Sequence, residues 1–383
     1  MLRLSLVSNE LPPYRIPFFQ ALENMPGIAL QALFCTRREP NRLWELPPLD
    51  FGHVFLRENV FTVDGRYIHS NPGVIAELRK FAPDVVVTGG FNPTHLYAFA
   101  YALARRLPHV PMTDGTDVSE QGLSKMHRAV RRVVYRRSKA FVSASDGGRR
   151  LYESYGVPAA DCFKSCLCVD NEAFSPHGQE QGTEQQKEFD FLFCGRIEPV
   201  KNPQFALDVA AATARRLARR VSILFVGTGV QEEELKARAA QHPDLVQARF
   251  RGFTAHGDLP ALYRSARVFL FPSLWDPWGV VANEACAAGL PVLVSPKPGV
   301  ANELVIDGRN GFVCKLDVDD WAERAAVLLT QPAVWQRFSR NSQEAVKDYT
   351  YANAAAGLVA ACRHAVDRMS RARLRGQERY NEK

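Results

Sequence analysis

The heptapeptide Asp84-Val-Val-Val-Thr-Gly-Gly constrains the fold of this chain more than any other stretch. A continuous β-branched run without polar alternation suits a strand covered on both faces, and such strands belong to parallel sheets flanked by helices. Helix-patterned segments follow that rule on either side, at residues 73–81 and 93–106. The same alternation runs through the first half, with strands expected at residues 3–8, 29–35, 52–56, 109–113 and 140–144, and a further apolar run at 165–169. Helices are expected at 18–24, 125–139 and 146–155. It then starts again, with strands expected at residues 189–195, 221–226, 250–253, 268–271 and 291–295 and a helix at 202–216. The expected fold class is therefore α/β, with two parallel sheets wound with helices.

A length of 383 residues agrees with two domains. The stretch Pro176-His-Gly-Gln-Glu-Gln-Gly-Thr-Glu-Gln-Gln-Lys187 has no apolar periodicity and reads as a linker. The division expected is 1–176 for the first domain, 177–187 for the linker, 188–350 for the second domain, and 351–383 for a C-terminal helix with a basic tail. From Asp317 onward the pattern is wholly helical, at 321–329, 333–347 and 353–369.

Charge narrows the partners. The net charge is +7 and is unevenly placed. In Lys125-Met-His-Arg-Ala-Val-Arg-Arg-Val-Val-Tyr-Arg-Arg, helical spacing sets Ala129, Val130, Val133 and Val134 apart from Arg128, Arg131, Arg132, Arg136 and Arg137. Such a basic amphipathic helix suits either an ordinary solvated surface or contact with an anionic membrane or a phosphate-bearing acceptor. The basic clusters lack interleaved aromatics, which argues against nucleic acid. The eight cysteines form no C-x-x-C pair, as in a reduced, cytoplasmic protein. The N-terminus lacks the basic region, long apolar stretch and cleavage site of a leader and reads as a first strand. No apolar segment approaches the roughly 20 residues of a membrane span. The nine histidines are scattered singly, so no metal is expected.

Candidate chemistry gathers at strand ends, where parallel sheets bind ligands. Gly195-Arg196 and Lys201 follow the strand at 189–195 and can neutralise a diphosphate, with glycine allowing close backbone approach. Asp276 and Glu284 lie eight positions apart around Trp278-Gly279-Val280-Val281. A turn at Gly279 would leave the amides of Gly279, Val280 and Val281 free at a helix start, with Glu284 about one turn in, where a carboxylate can accept from a ribose diol. The same acids could equally complement the helix dipole. Asn9 opens the loop after the first strand and joins the donor-binding candidates. Asp114 ends the strand at 109–113 and suits a sugar ligand, an acceptor-side base or a loop-structuring residue. Asp317-Val-Asp319 is most simply a helix cap.

Gly195-Arg196 with Lys201, the two acids separated by seven residues, Gly289-Leu-Pro291 and Asn302-Glu303-Leu…Asp307-Gly308…Asn310-Gly311-Phe together resemble the retaining family-4 glycosyltransferases of the GT-B fold, strongly over residues 189–313. Weaker landmarks in the first half are Leu11-Pro-Pro-Tyr-Arg, Asp146-Gly, Tyr155-Gly-Val and Val169-Asp-Asn…Phe174-Ser-Pro.

The resemblance implies two Rossmann-like domains facing across a cleft, with the C-terminal helices crossing back to the first. It implies a nucleotide-diphosphate sugar as donor, with Arg196 and Lys201 on the diphosphate, Glu284 on the ribose, and the amides of Gly279, Val280 and Val281 on sugar or phosphate. Neither metal nor other cofactor is expected. The first motif acid, commonly Glu and placed against the donor sugar, is Asp276, one methylene shorter. Asp114 stands where many relatives have His. The acceptor implied is lipid-linked or polysaccharide glycan, met in the cytoplasm at the inner membrane face. A sugar-nucleotide epimerase or hydrolase, or a non-catalytic binding subunit, are the alternatives.

Overall fold

The computed structural model describes residues 1–42, 44–63, 65–176 and 187–381. The chain divides into two compact units, Met1–Leu167 with Tyr351–Lys383, and Cys168–Thr350.

The first unit is built on β1 (Leu2–Ser8), α1 (Ile16–Glu23), β2 (Ile28–Phe34), β3 (His53–Phe55), the hairpin β4 (Val60–Val63) and β5 (Arg66–His69), α2 (Val74–Phe81), β6 (Val85–Thr88), α3 (Pro93–Ala104), β7 (His109–Thr113), α4 (Lys125–Arg137), β8 (Phe141–Ser143), α5 (Asp146–Ser154) and β9 (Cys162–Lys164). Its seven-stranded sheet has the order β3-β2-β1-β6-β7-β8-β9, and every pairing in it is parallel. The strand order turns back between β1 and β6, which makes the ends of those strands a topological switch point. All four residues of β6 are buried, as its β-branched run requires.

The second unit comprises α6 (Asn171–Phe174), β10 (Phe189–Cys194), α7 (Pro203–Leu217), β11 (Val221–Val226), α8 (Glu232–Ala239), β12 (Val246–Gly252), α9 (Leu259–Arg264), β13 (Ala266–Phe271), α10 (Val280–Ala287), β14 (Val292–Val294), β15 (Gly311–Val313), α11 (Val318–Thr330) and α12 (Pro332–Ala345). Its sheet, β12-β11-β10-β13-β14-β15, is also parallel throughout. Here the order turns back between β10 and β13. α7 and α11 cover one face, with Phe205 edge-on to the buried Trp321 at 5.2 Å. Asp317 caps α11 by accepting from the Asp320 amide at 2.9 Å, the structural role expected of it.

Both sheets therefore form as the apolar runs anticipate, but three details differ. The first domain ends at Leu167 rather than at 176, because α6 packs with the second unit: Phe174 is fully buried and meets the Tyr263 ring at 5.4 Å, and Arg264 donates to the Ala173 carbonyl. The expected linker, apart from Lys187, lies outside the described residues. The last strand of the first sheet is Cys162–Lys164, not the apolar run 165–169. The β4–β5 hairpin and the three-residue β15 carry too little apolar periodicity to be read in advance.

The C-terminal helix α13 (Tyr351–Asn381) belongs to the first unit. Its Gly357 passes so near β9 that a Cβ there would lie 1.8 Å from the Lys164 carbonyl oxygen, and Ser165 donates to the Ala354 carbonyl at 2.8 Å. Within the expected basic tail, Arg368 is engaged by Asp161, and residues 382–383 lie outside the description. No helix among the described residues is long and apolar enough to cross a membrane.

Candidate active site

Because β10 and β13 are hydrogen-bonded neighbours, the loops leaving their C-terminal ends meet although they lie some seventy residues apart in sequence. The loop after β10 carries Gly195, Arg196 and Lys201, and the loop after β13 carries Asp276 and Gly279. Two bonds stitch them together: the Leu274 amide donates to the Val200 carbonyl at 2.9 Å, and the Lys201 ammonium is hydrogen-bonded to Asp276 Oδ2. Asp276 Oδ1 accepts from the Trp278 amide at 3.2 Å, so both oxygens of this carboxylate are engaged. Arg196 forms an ion pair with Glu198, at 2.8 Å to one oxygen and 3.0 Å to the other.

Gly279 sits at φ 105° immediately before α10, a conformation that disfavours any side chain. A Cβ there would also lie 2.4 Å from the Phe271 ring. This glycine thereby fixes where α10 begins and where the amides of Val280 and Val281 stand at its first turn.

The two tryptophans of the loop do different work. Trp278 is buried, donates to Asn283 Oδ1 at 2.8 Å and stacks on Tyr349 at 5.6 Å, anchoring the turn. Trp275 is 42% exposed.

Glu284 is buried on α10 and accepts a 2.5 Å hydrogen bond from the Tyr263 hydroxyl. Burial raises the Glu284 carboxyl from 4.5 to about 7, although the Tyr263 bond pulls in the opposite direction. Cys194, the last residue of β10, feels the same enclosure, and burial next to Glu284 pushes its thiol up to about 12. The thiol is therefore held in its protonated, weakly nucleophilic form.

Asn9 and Asp114 lie in the first unit, Asn9 just past β1 at its switch point and Asp114 just past β7, the neighbour of β6. They line a cavity of about 290 Å³ that also involves Ser8 at the end of β1 and Gly89 just past β6. Asn9 Oδ1 accepts from Asn92 at 3.0 Å. Asp114 is exposed at the end of β7. Glu10 and Arg42 in the wall are paired at 3.2 Å, and the Glu39 amide donates to Glu10 at 3.0 Å. Burial is the largest influence on Glu10 and raises its carboxyl.

On α4 the structure corrects the expected basic face. Arg131 is buried: its Nε and Nη2 donate to the two Glu120 oxygens at 2.6 and 2.8 Å, and its guanidinium lies 4.2 Å from the Phe91 ring centroid. It is a packing residue: the bidentate carboxylate and the aromatic face offset the cost of burying its guanidinium. Val133, expected on the apolar side, is instead 55% exposed. Arg128, Arg132, Arg136 and Arg137 are exposed, with Arg128 donating to the Gln121 carbonyl at 2.7 Å.

Sequence reasoning missed Tyr263 and Glu198. Tyr263 lies 21 residues before Glu284 on a different helix, and no spacing rule connects them. Glu198 stands two residues from Arg196 and was open to notice as a counter-charge. Among the described residues no group of three or more His, Cys, Asp or Glu side chains is placed to hold a metal ion.

Comparison with known proteins shows the family and the fold. The sequence profile described as Glycosyl transferases group 1 matches residues 177–345, which contain the whole β10–β13 site. A D-inositol 3-phosphate glycosyltransferase of Saccharomonospora viridis is 31% identical over 362 residues, covering 90% of this chain and 80% of the relative. This chain belongs to the group 1 glycosyl transferases. The glycogen synthase of Mycobacterium tuberculosis is 29% identical over 279 residues, covering 70% of this chain and only 65% of the relative's length. The fold is that of GT-B glycosyltransferases: Anabaena HepE in complex with UDP matches with a TM-score of 0.71 at 15% identity, covering 94% of this chain and 98% of HepE. Sucrose-phosphate synthase of Thermosynechococcus elongatus matches with a TM-score of 0.67 at 17% identity, covering 95% and 98%.

Proposed function

We propose that this family member transfers a sugar, with retention of anomeric configuration, from a nucleoside diphosphate sugar to an acceptor hydroxyl. The observation that carries the reading is that the loop bearing Arg196 and Lys201 and the loop leading into α10, which carries Glu284, leave the neighbouring strands β10 and β13 and are joined by the Lys201–Asp276 bond. Two cations beside a helix start suit a diphosphate, and a buried carboxylate within the same helix suits a ribose diol. HepE, which shares this fold, binds UDP and glucose.

In the proposed reaction the bond between the anomeric carbon and the diphosphate oxygen breaks while the acceptor oxygen bonds to that carbon on the same face. The acceptor proton passes to the departing phosphate oxygen. Negative charge grows on the leaving diphosphate, where Arg196 and Lys201 stabilise it electrostatically, so the chain's own cations serve without a metal. The amides of Val280 and Val281 add donors at the same end.

The acceptor lies with the cavity that Asn9 and Asp114 line in the first unit, and we assign it to lipid-linked or surface glycan. The exposed Arg128, Arg132, Arg136 and Arg137 suit peripheral contact with an anionic, cytoplasm-facing membrane.

The test is incubation with UDP-, ADP- and GDP-sugars, with and without glycan acceptors, followed by NMR of the anomeric proton in the product. Acceptor-dependent release of nucleoside diphosphate with an α-linked product from an α-donor is expected. Donor conversion without any acceptor would indicate an epimerase or hydrolase, and binding without release a non-catalytic subunit.

A further inference from the structure

The two cations assigned to the diphosphate carry carboxylate partners of very different character. Arg196 and Glu198 are 43% and 28% exposed at the side chain and are neighbours along one loop. An ion pair this open is weak, because water and salt screen it and two mobile side chains must be held. Lys201 and Asp276 are only 20% and 14% exposed and come from two different loops. Their pairing is reinforced twice, by the Trp278 amide on Asp276 Oδ1 and by the Leu274–Val200 backbone bond beside it. The Asp276 carbonyl also accepts from the Gly299 amide at 3.1 Å, so its backbone is tethered as well. A partly buried charge with that many attachments does not leave its partner readily.

We propose that Glu198 is a displaceable counter-ion, occupying Arg196 until a diphosphate takes its place, whereas Asp276 is a positioning residue that stays on Lys201 and holds the ammonium where the diphosphate meets it. The inference rests on the donor reading given above and changes the part played by Asp276, which acts through Lys201 rather than on the donor sugar. It also accounts for aspartate at this position: both oxygens of the shorter side chain are used inside the loop pair.

Simple electrostatics gives the two carboxylates one sign, since removing either negative charge beside a diphosphate would tighten binding. Displacement and positioning give opposite signs. Isothermal titration of the full chain with UDP, ADP and GDP identifies the base that binds, and that nucleotide is then titrated into Glu198→Gln and Asp276→Asn. Glu198→Gln is expected to bind about three- to fivefold tighter, the scale of an exposed ion pair. Asp276→Asn, which keeps the shape and loses the charge, is expected to bind about tenfold weaker and to lower kcat at saturating donor. Asp276→Glu is expected to recover part of that affinity. In a Lys201→Met background, Asp276→Asn should weaken binding no further, because the two residues act as one unit.

Tighter binding by Asp276→Asn, or unchanged or weaker binding by Glu198→Gln, overturns the proposal. An additional loss from Asp276→Asn in the Lys201→Met background overturns it also, and this arm stands even where the single variant is less stable. Failure of the unaltered chain to bind any of the three nucleotides overturns the donor reading itself.

Discussion

Tyr263 donates its hydroxyl to Glu284 at 2.5 Å, joining α9 to α10 inside the second unit. The bond engages Oε2 of a buried carboxyl. It also opposes the effect of burial, which raises Glu284 to about 7.

A pH dependence follows. In the unfolded chain this carboxyl titrates near its usual 4.5, and in the folded chain near 7. Stability relative to Glu284→Gln is therefore largest below pH 4.5, falls as the pH rises from 4.5 to about 7, and is level above that. Urea melts of both proteins at several pH values check this; a flat difference would contradict it.

Donor affinity should move the other way. A ribose diol donates to Glu284 best when the carboxyl is ionised, so affinity for a nucleoside diphosphate sugar should rise by up to about tenfold per pH unit on approaching pH 7 and then level off. Glu284→Gln should flatten the profile, with its largest loss of affinity near and above pH 7, where the native carboxyl is ionised. Tyr263→Phe removes a bond that favours the ionised form, so its profile should shift to higher pH.

Lys201→Ala should lower kcat at saturating donor by about 10²-fold, the scale of losing one preorganised charge from a transition state. The measurement is steady-state release of nucleoside diphosphate. Near-normal turnover would remove Lys201 from the chemistry.

Gly279→Ala should cost about 1–3 kcal/mol in chemical denaturation and weaken nucleotide binding, because a side chain at φ 105° is strained and meets the Phe271 ring. An alanine variant as stable as the native chain would show that the turn is free to rearrange.

The arginines of α4 should separate into two groups. Arg131→Ala should destabilise by about 1–3 kcal/mol, since it leaves Glu120 without its bidentate partner. Reversing Arg128, Arg132, Arg136 and Arg137 to Glu should leave the melting temperature nearly unchanged and abolish sedimentation with anionic liposomes. Unchanged sedimentation would end the membrane proposal.

Much of this was legible without coordinates. The β-branched run at Val85–Thr88 and its counterparts read as parallel strands because burial on both faces writes itself directly into local composition. Gly279 marked a helix start by backbone rules that act within a residue or two. Even the loops bearing Arg196, Lys201 and Asp276, and the helix start leading to Glu284, stood out, as charges at strand ends are conspicuous beside apolar runs.

The partners of those charges were decided only by the tertiary structure. Asp276 reaches Lys201 across 75 residues because β13 lies beside β10, and strand order is not a local property. Tyr263 meets Glu284 because α9 and α10 pack together, and Arg131 turns inward because Glu120 and Phe91 wait there. Local sequence dictates which backbone forms where. Which acid neutralises which base, and how far its pKa moves, depends on distances and burial that exist only once the sheets have closed.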